Sequence, residues 1–248
     1  MKEHTIVFLL KSMKSEYVED SLKKGRFCFN HPYVFNQWEQ QDSAQFDRWD
    51  GYASIKAEHL VYAPIIQDDD EAYICGEIKP LADQDNLHMQ SDAVKHTPIS
   101  CFRMIELSEL NMNEDALTMT FSLGDVAERI INEFGHDSYL IIAAKPFLER
   151  IEKQHNSIMW GPIVYKDILQ IGEIPVDEKC RDIAEQLLRK DKKFEWQKEF
   201  RVALLNPTKE TPVFVELGSI EDIVVGYGNV KDLRKGISFS YRRQKDIL

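Results

Sequence analysis

The chain has 248 residues, 43% of them hydrophobic, with a formal net charge of -11 and a pI near 5.2. That length and apolar content suffice for a sizeable core, as one large domain or two small ones. The acidic balance excludes binding of nucleic acid through the overall field and repels anionic membranes, and it suits docking on a basic partner. The four cysteines, Cys28, Cys75, Cys101 and Cys180, form no CxxC pair, so they read as free thiols of a reducing cytoplasm rather than as a zinc or redox motif. The apolar run from Thr5 to Leu10 is too short for a signal-peptide core, and no run approaches the ~20 residues of a membrane span. A cytoplasmic protein is expected.

In chain order, Ile6 to Leu10 reads as a buried strand, and Glu16 to Lys24 as a helix capped by Ser15 and stopped by Gly25. Tyr17, Val18 and Leu22 fall on the inner side of that helix. Arg26 to Asn30 alternates as a strand, with Phe27 and Phe29 on one face and Arg26, Cys28 and Asn30 on the other. His31-Pro32 ends it. Residues 35–50 read as an ordered loop, within which Asp47, Arg48 and Asp50 form a local turn cluster. Leu60 to Ile66 and Tyr73 to Ile78 read as strands around the acidic turn Asp68 to Glu71. Residues 81–96 show neither a strand nor a helix period and read as a mobile insertion.

Pro98 to Leu107 and Leu117 to Phe121 read as a strand pair. Gly124 to Phe134 is an amphipathic helix, Tyr139 to Ala143 a buried strand, Pro146 to Ile151 a helix and Ile158 to Tyr165 a strand. Val176 to Arg189 reads as a helix. Phe200 to Leu204, Val213 to Leu217, Ile223 to Gly226 and Ile237 to Tyr241 complete a strand-rich C-terminal half, with Gly226 to Asn229 a tight turn. Without a regular βαβ rhythm, the expectation is one α+β domain, mostly antiparallel, with sheets that can be split and are flanked by helices.

The chemistry concentrates in two segments. On the strand beginning at Glu199, Glu199 and Arg201 share one face while Phe200, Val202 and Leu204 share the other. This is either a solvated edge or the wall of a polar cleft, with Phe194 and Trp196 at its entry. In the second segment Arg26, His31, Tyr33 and Asn36 are hydrogen-bonding groups suited to phosphate or ribose. The alternative there is a capped turn with a core-packed Tyr33. No HxH or HExxH pair, calcium loop, P-loop, dinucleotide GxGxxG or GxSxG elbow is present, so no metal site is expected.

Gly25 to Asn36 and Trp196 to Arg201 together resemble a large family of uncharacterised bacterial and phage proteins. Members of that family carry a Phe-rich strand running into F-N-D-P and a late W-x-x-E-x-E-[WF]-R strand. Here Phe35 and Asn36 are followed by Gln37-Trp38-Glu39 in place of Asp-Pro, while Glu199 and Arg201 match. The family has been likened to ADP-ribosyltransferases. The resemblance implies a nucleotide-directed transferase or hydrolase with NAD as substrate across a split sheet. Glu199 would be catalytic, and Arg26, His31, Tyr33, Asn36, Trp196 and Arg201 would bind the nucleotide. The competing expectations are a non-enzymatic phage or mobile-element protein that sequesters a nucleotide or binds a basic host protein, and a scaffold without a pocket.

Overall fold

The computed structural model describes residues 5–37, 53–56, 61–62, 65–68, 71–74, 79–80, 86–89, 92–113, 115–166 and 186–240. Its main elements are β1 (Ile6–Met13), α1 (Val18–Lys24), β2 (Arg26–Phe29), β3 (Ile99–Glu106), α2 (Val126–Phe134), β4 (Ser138–Ala143), α3 (Ala144–Gln154), β5 (Ile158–Pro162), β6 (Glu199–Leu204), β7 (Val213–Glu216) and β8 (Val224–Asn229). Six of the strands form one sheet in the order β5-β6-β3-β1-β4-β8. Every neighbouring pair in it is antiparallel. The fold is α+β, as the residue pattern predicts.

The sheet is buried on both faces. On one face Leu9, Phe102, Leu140, Phe200 and Val202 pack against Phe147 and Ile151 of α3 and against Phe27, Phe29 and Val215 of the antiparallel β2–β7 pair. On the other, Leu10, Ile105, Tyr139 and Ile141 pack against Ala127 and Ile130 of α2. A second, three-stranded sheet of Asn111–Asn113, Thr118–Phe121 and Ile237–Ser240 adjoins this second face. Thr118–Phe121 therefore pairs within that small sheet, and the expected pairing with the Pro98 to Leu107 strand does not form. Phe27, Phe29, Ile141, Phe200, Val202 and Val215 are all buried, as their strand periods require.

Several local expectations are corrected. Ser15 does not cap the first helix; its backbone N–H and hydroxyl donate to the Asp137 carboxylate, and a 3-10 turn at Ser15–Tyr17 precedes α1. Tyr17 is exposed rather than inward. Gly25 does end α1, in the left-handed conformation with φ +59, where a Cβ would meet the Gly218 carbonyl oxygen at 2.3 Å. Pro32 opens a short helix, Pro32–Gln37. Gly226 to Asn229 belongs to β8 and pairs with β4, so it is not a turn. Arg189 lies in a strand, Arg189–Asp191, paired in parallel with Val164–Lys166.

Within 81–96, Asn86–Met89 is a strand paired with Ala53–Lys56, and Asp92–Lys95 is a helix whose Val94 is fully buried. The remainder of that segment, the Asp47 cluster, and residues 176–185 of the expected late helix lie outside the described residues. Asp68 and Glu71 are register partners at the end of the antiparallel pair Ile65–Asp68 with Glu71–Ile74.

Candidate functional site

The registers of the central strands locate the site. β1 pairs with β3 from Ile6↔Glu106 as far as Leu10↔Arg103 and no further. Beyond that point β1 stays with β4 down to Met13↔Ser138, while β3 stays with β6 up to Ile99↔Ala203. The sheet therefore divides between its two central strands. The gap opens into a cavity of about 340 Å³, lined by Leu10 to Lys14 on one side and Ile99 to Arg103 on the other. That size falls within the roughly 300–1,000 Å³ of small-molecule pockets.

Lys11 bridges the gap. Its Nζ donates to the Cys101 carbonyl at 2.8 Å and to Ser100 Oγ at 3.1 Å, and it lies 4.9 Å from the centroid of the Phe102 ring. Burial lowers the pKa of this amine, since charge is disfavoured out of water.

Glu199 lines the cavity from β6. It follows Lys198, a non-glycine residue in the left-handed region with φ 43 that closes the 3-10 helix Lys192–Gln197. Such a conformation costs on the order of 1 kcal/mol and is held by its surroundings. Here the Lys198 N–H donates to the Glu195 carbonyl, its own carbonyl accepts from Met104 N–H at 2.9 Å, and its ammonium lies 3.1 Å from Glu109. The turn delivers the chain into β6 with Glu199 inward.

The Glu199 carboxylate accepts from Arg201 Nε at 2.6 Å and from Lys190 Nζ at 3.0 Å, and its backbone N–H donates to the Tyr165 hydroxyl at 2.7 Å. Burial alone would push this carboxyl up. The charges of Arg201 and Lys190 outweigh it, so the net direction is downward and the group is ionised at neutral pH. It is a fixed negative charge, unsuited to donating a proton. Arg201 is wholly buried and also donates to the Leu187 carbonyl at 2.8 Å. The solvated-edge alternative for this strand is thereby ruled out: β6 lies between β5 and β3, and all six of its residues are buried.

Trp196 and Phe134 stack across the cavity with ring centroids 5.9 Å apart, and the Arg129 guanidinium lies 3.9 Å from the centroid of the Trp196 ring. Beside Phe134, whose ring centroid is 5.8 Å from that of His136, Ser12 Oγ and His136 Nδ1 are 3.0 Å apart. Burial, and then the charges of Lys11 and Lys14, push His136 down to about 4, so it is neutral at pH 7. Arg103 reaches over to the Trp196 carbonyl at 2.7 Å. Burial raises both lining thiols, Cys28 and Cys101, the latter to about 12.

The site residues read from sequence divide. Glu199 and Trp196 line the cavity, and Arg201 stands behind Glu199 as its partner. Arg26 does not line it. The Arg26 side chain lies over Phe214 at 4.3 Å and is 3.5 Å from Asp20 and 3.7 Å from Glu216. The expected Arg26 face is real, but it is Cys28 and Asn30 that reach the cavity. His31 and Tyr33 lie just past it, where Asn30 bridges to Ile99. Their rings cluster with His96 at centroid distances of 5.4 to 5.7 Å, and both His31 ring nitrogens are buried with no hydrogen-bond partner among the described residues. Asn36 falls in the helix Pro32–Gln37.

Sequence reasoning missed Lys11, Arg103, Lys190 and His136. Lys11 left a trace: it is the charged residue that interrupts an apolar strand at an inward position. Among the described residues no group of three or more His, Cys, Asp or Glu side chains is placed to hold a metal ion, and no helix is long and apolar enough to cross a membrane. No family model, curated protein or solved structure matches the chain.

Proposed function

We propose that the divided sheet is a nucleotide-binding cleft and that the protein is a nucleotide-directed transferase or hydrolase, with NAD as the candidate substrate. The observation that carries this reading is Glu199: a carboxylate held ionised by two cations and opening on a cavity roofed by an indole. When a glycosidic bond to a ribose breaks, positive charge develops on the sugar ring, and a preorganised anion in a water-poor site stabilises it. Arg201 and Lys190 fix the orientation of that anion. The indole of Trp196, packed with Phe134 and Arg129, forms part of the wall against which a base or nicotinamide ring would lie. Support from the sequence comes from the Trp196 to Arg201 motif, whose Glu and Arg are the two residues that meet here.

Arg26 has no part in this version, because its partners are Asp20 and Glu216 outside the cavity. The groups lining the cleft that can hydrogen-bond a nucleotide include Lys11, Asn30 and Arg103.

A second reading is favoured by one observation. The double pairing of Glu199 also suits a rigid binding protein that holds a nucleotide without turning it over, acting in a phage or mobile element. The acidic surface would then serve docking on a basic host protein. One experiment separates the two. The purified chain is incubated with NAD and with ADP-ribose; thermal shift reports binding, and mass spectrometry reports released nicotinamide. Release that falls in Glu199→Asp, which keeps the charge but shortens its reach, supports the enzyme. Stabilisation by NAD without release selects the binding protein. No thermal shift with either nucleotide would overturn both readings.

A further inference from the structure

Lys11 is the reactive group of the cavity that the nucleotide reading leaves without a chemical role. Its two hydrogen-bond acceptors, the Cys101 carbonyl and the Ser100 hydroxyl, are both neutral, and it forms no ion pair among the described residues. Its neighbours are poorer nucleophiles. Burial pushes the Cys28 and Cys101 thiols up, so neither is a thiolate near neutral pH. Lys190 is tied to Glu199 and Gln197, and a guanidinium such as that of Arg103 does not give up its proton. Burial acts on Lys11 in the opposite sense, lowering its pKa and raising the share of free amine.

We propose that Lys11 is a covalent capture site, at which the side-chain amine condenses with the carbonyl of a small aldehyde, the open-chain form of an aldose, to give an imine. The nitrogen lone pair forms the N–C bond, and the carbonyl π pair moves to oxygen. A nitrogen proton passes to that oxygen, and the resulting carbinolamine loses water as the C=N bond closes. One amine and one aldehyde give one imine and one water, with no oxidant or reductant. Ser100 Oγ, 3.1 Å from Nζ, is placed to carry the proton. Asn30 and Arg103 line the same stretch and supply partners for sugar hydroxyls, which favours an aldose over an apolar aldehyde. The proposal does not rest on NAD being bound or cleaved.

The test uses the intact protein with ribose as the probe and sodium cyanoborohydride to reduce any imine, at neutral pH, followed by digestion and peptide mass spectrometry. Lys11 is expected to gain the ribityl group at least about tenfold faster than the exposed Lys145 and Lys153, because it lines the cavity with Ser100 Oγ beside its amine while they stand on the surface. All three rates come from one folded sample, so no variant has to fold. Labelling of Lys11 no faster than that of Lys145 and Lys153 would overturn the proposal. Rapid Lys11 labelling in a chain that neither binds nor cleaves NAD would uphold it while removing the nucleotide reading, so the two fail separately.

Discussion

Arg201 and Glu199 lie two residues apart on one strand, joined by a 2.6 Å bond from guanidinium Nε to carboxylate, and neither side chain is open to water. Two charges in such a place are stable only as a pair, and with Lys190 added the cluster is a triad. Glu199 cannot be altered without consequences for Arg201.

Replacing Glu199 by Gln is near-isosteric, and on a wet edge it would leave folding almost untouched. In the buried triad it removes the anion that Arg201 and Lys190 share. Glu199→Gln is expected to destabilise the protein by about 3 kcal/mol, as breaking a buried pair does. Urea denaturation of wild type and variant measures this, and a difference below about 1 kcal/mol would place the carboxylate in bulk water.

Phe200 points the other way from Glu199, into the core beside Phe102 and Val202, and is 2% exposed. Phe200→Ala should cost about 3 kcal/mol or more. An unchanged urea midpoint would reverse the assignment of the strand's faces.

Gly25→Ala should cost more than about 1 kcal/mol, because the site demands positive φ and a new methyl would press on the Gly218 backbone oxygen. Thermal unfolding of the variant reads the loss, and Gly25→Asn, which tolerates φ above zero better, should be strained by the same oxygen.

Acid should weaken the fold in a defined window. His136 is held at about 4 in the folded chain against an ordinary 6.5, so the unfolded chain binds more protons between these values. Its stabilising contribution is complete above pH 6.5, falls as the pH drops, and is gone below about 4. Glu199, whose pKa is also lowered, acts in the same direction further into acid. Urea midpoints measured from pH 7 to pH 4 should decline, and His136→Asn should flatten the upper part of that decline.

Much of this architecture is legible in the residue pattern because alternation within a strand is local. Phe27 and Phe29, or Phe200 and Val202, declare their face by period alone, and Glu199 with Arg201 declare the opposite one. What period cannot supply is the partner across a face. The sequence contains no sign that the strand of Lys11 parts from the strand of Cys101, because that depends on register between segments 90 residues apart, or that Lys190 reaches Glu199, because that depends on how the 3-10 helix Lys192–Gln197 turns the chain between them. For the same reason Arg26 was placed in the cleft when its own strand neighbours carry the face that reaches it. Ser15 looked like a cap because Asp137, which claims it, lies 122 residues on.

The order of strands in the main sheet bears on how the chain reaches this state. Two pairs of adjacent strands, β1 with β3 and β5 with β6, follow consecutively in the order of the sheet's own strands, and both are separated by other elements of the chain, β5 from β6 by the strand Arg189–Asp191. Of the six strands β1 is synthesised before the others and waits for β3 and β4, while β6 and β8 come last. Closure of the sheet must therefore meet the entropy of long loops before its contacts are rewarded. Such a sheet closes only once β6 and β8 have been made, passing through species in which the central strand still has an open edge. The two half-sheets have separate partners, β4 with β8 for one and β5 with β6 for the other, so they can assemble independently and join last at Ile6 to Leu10. The cleft would then be the seam along which the molecule was put together.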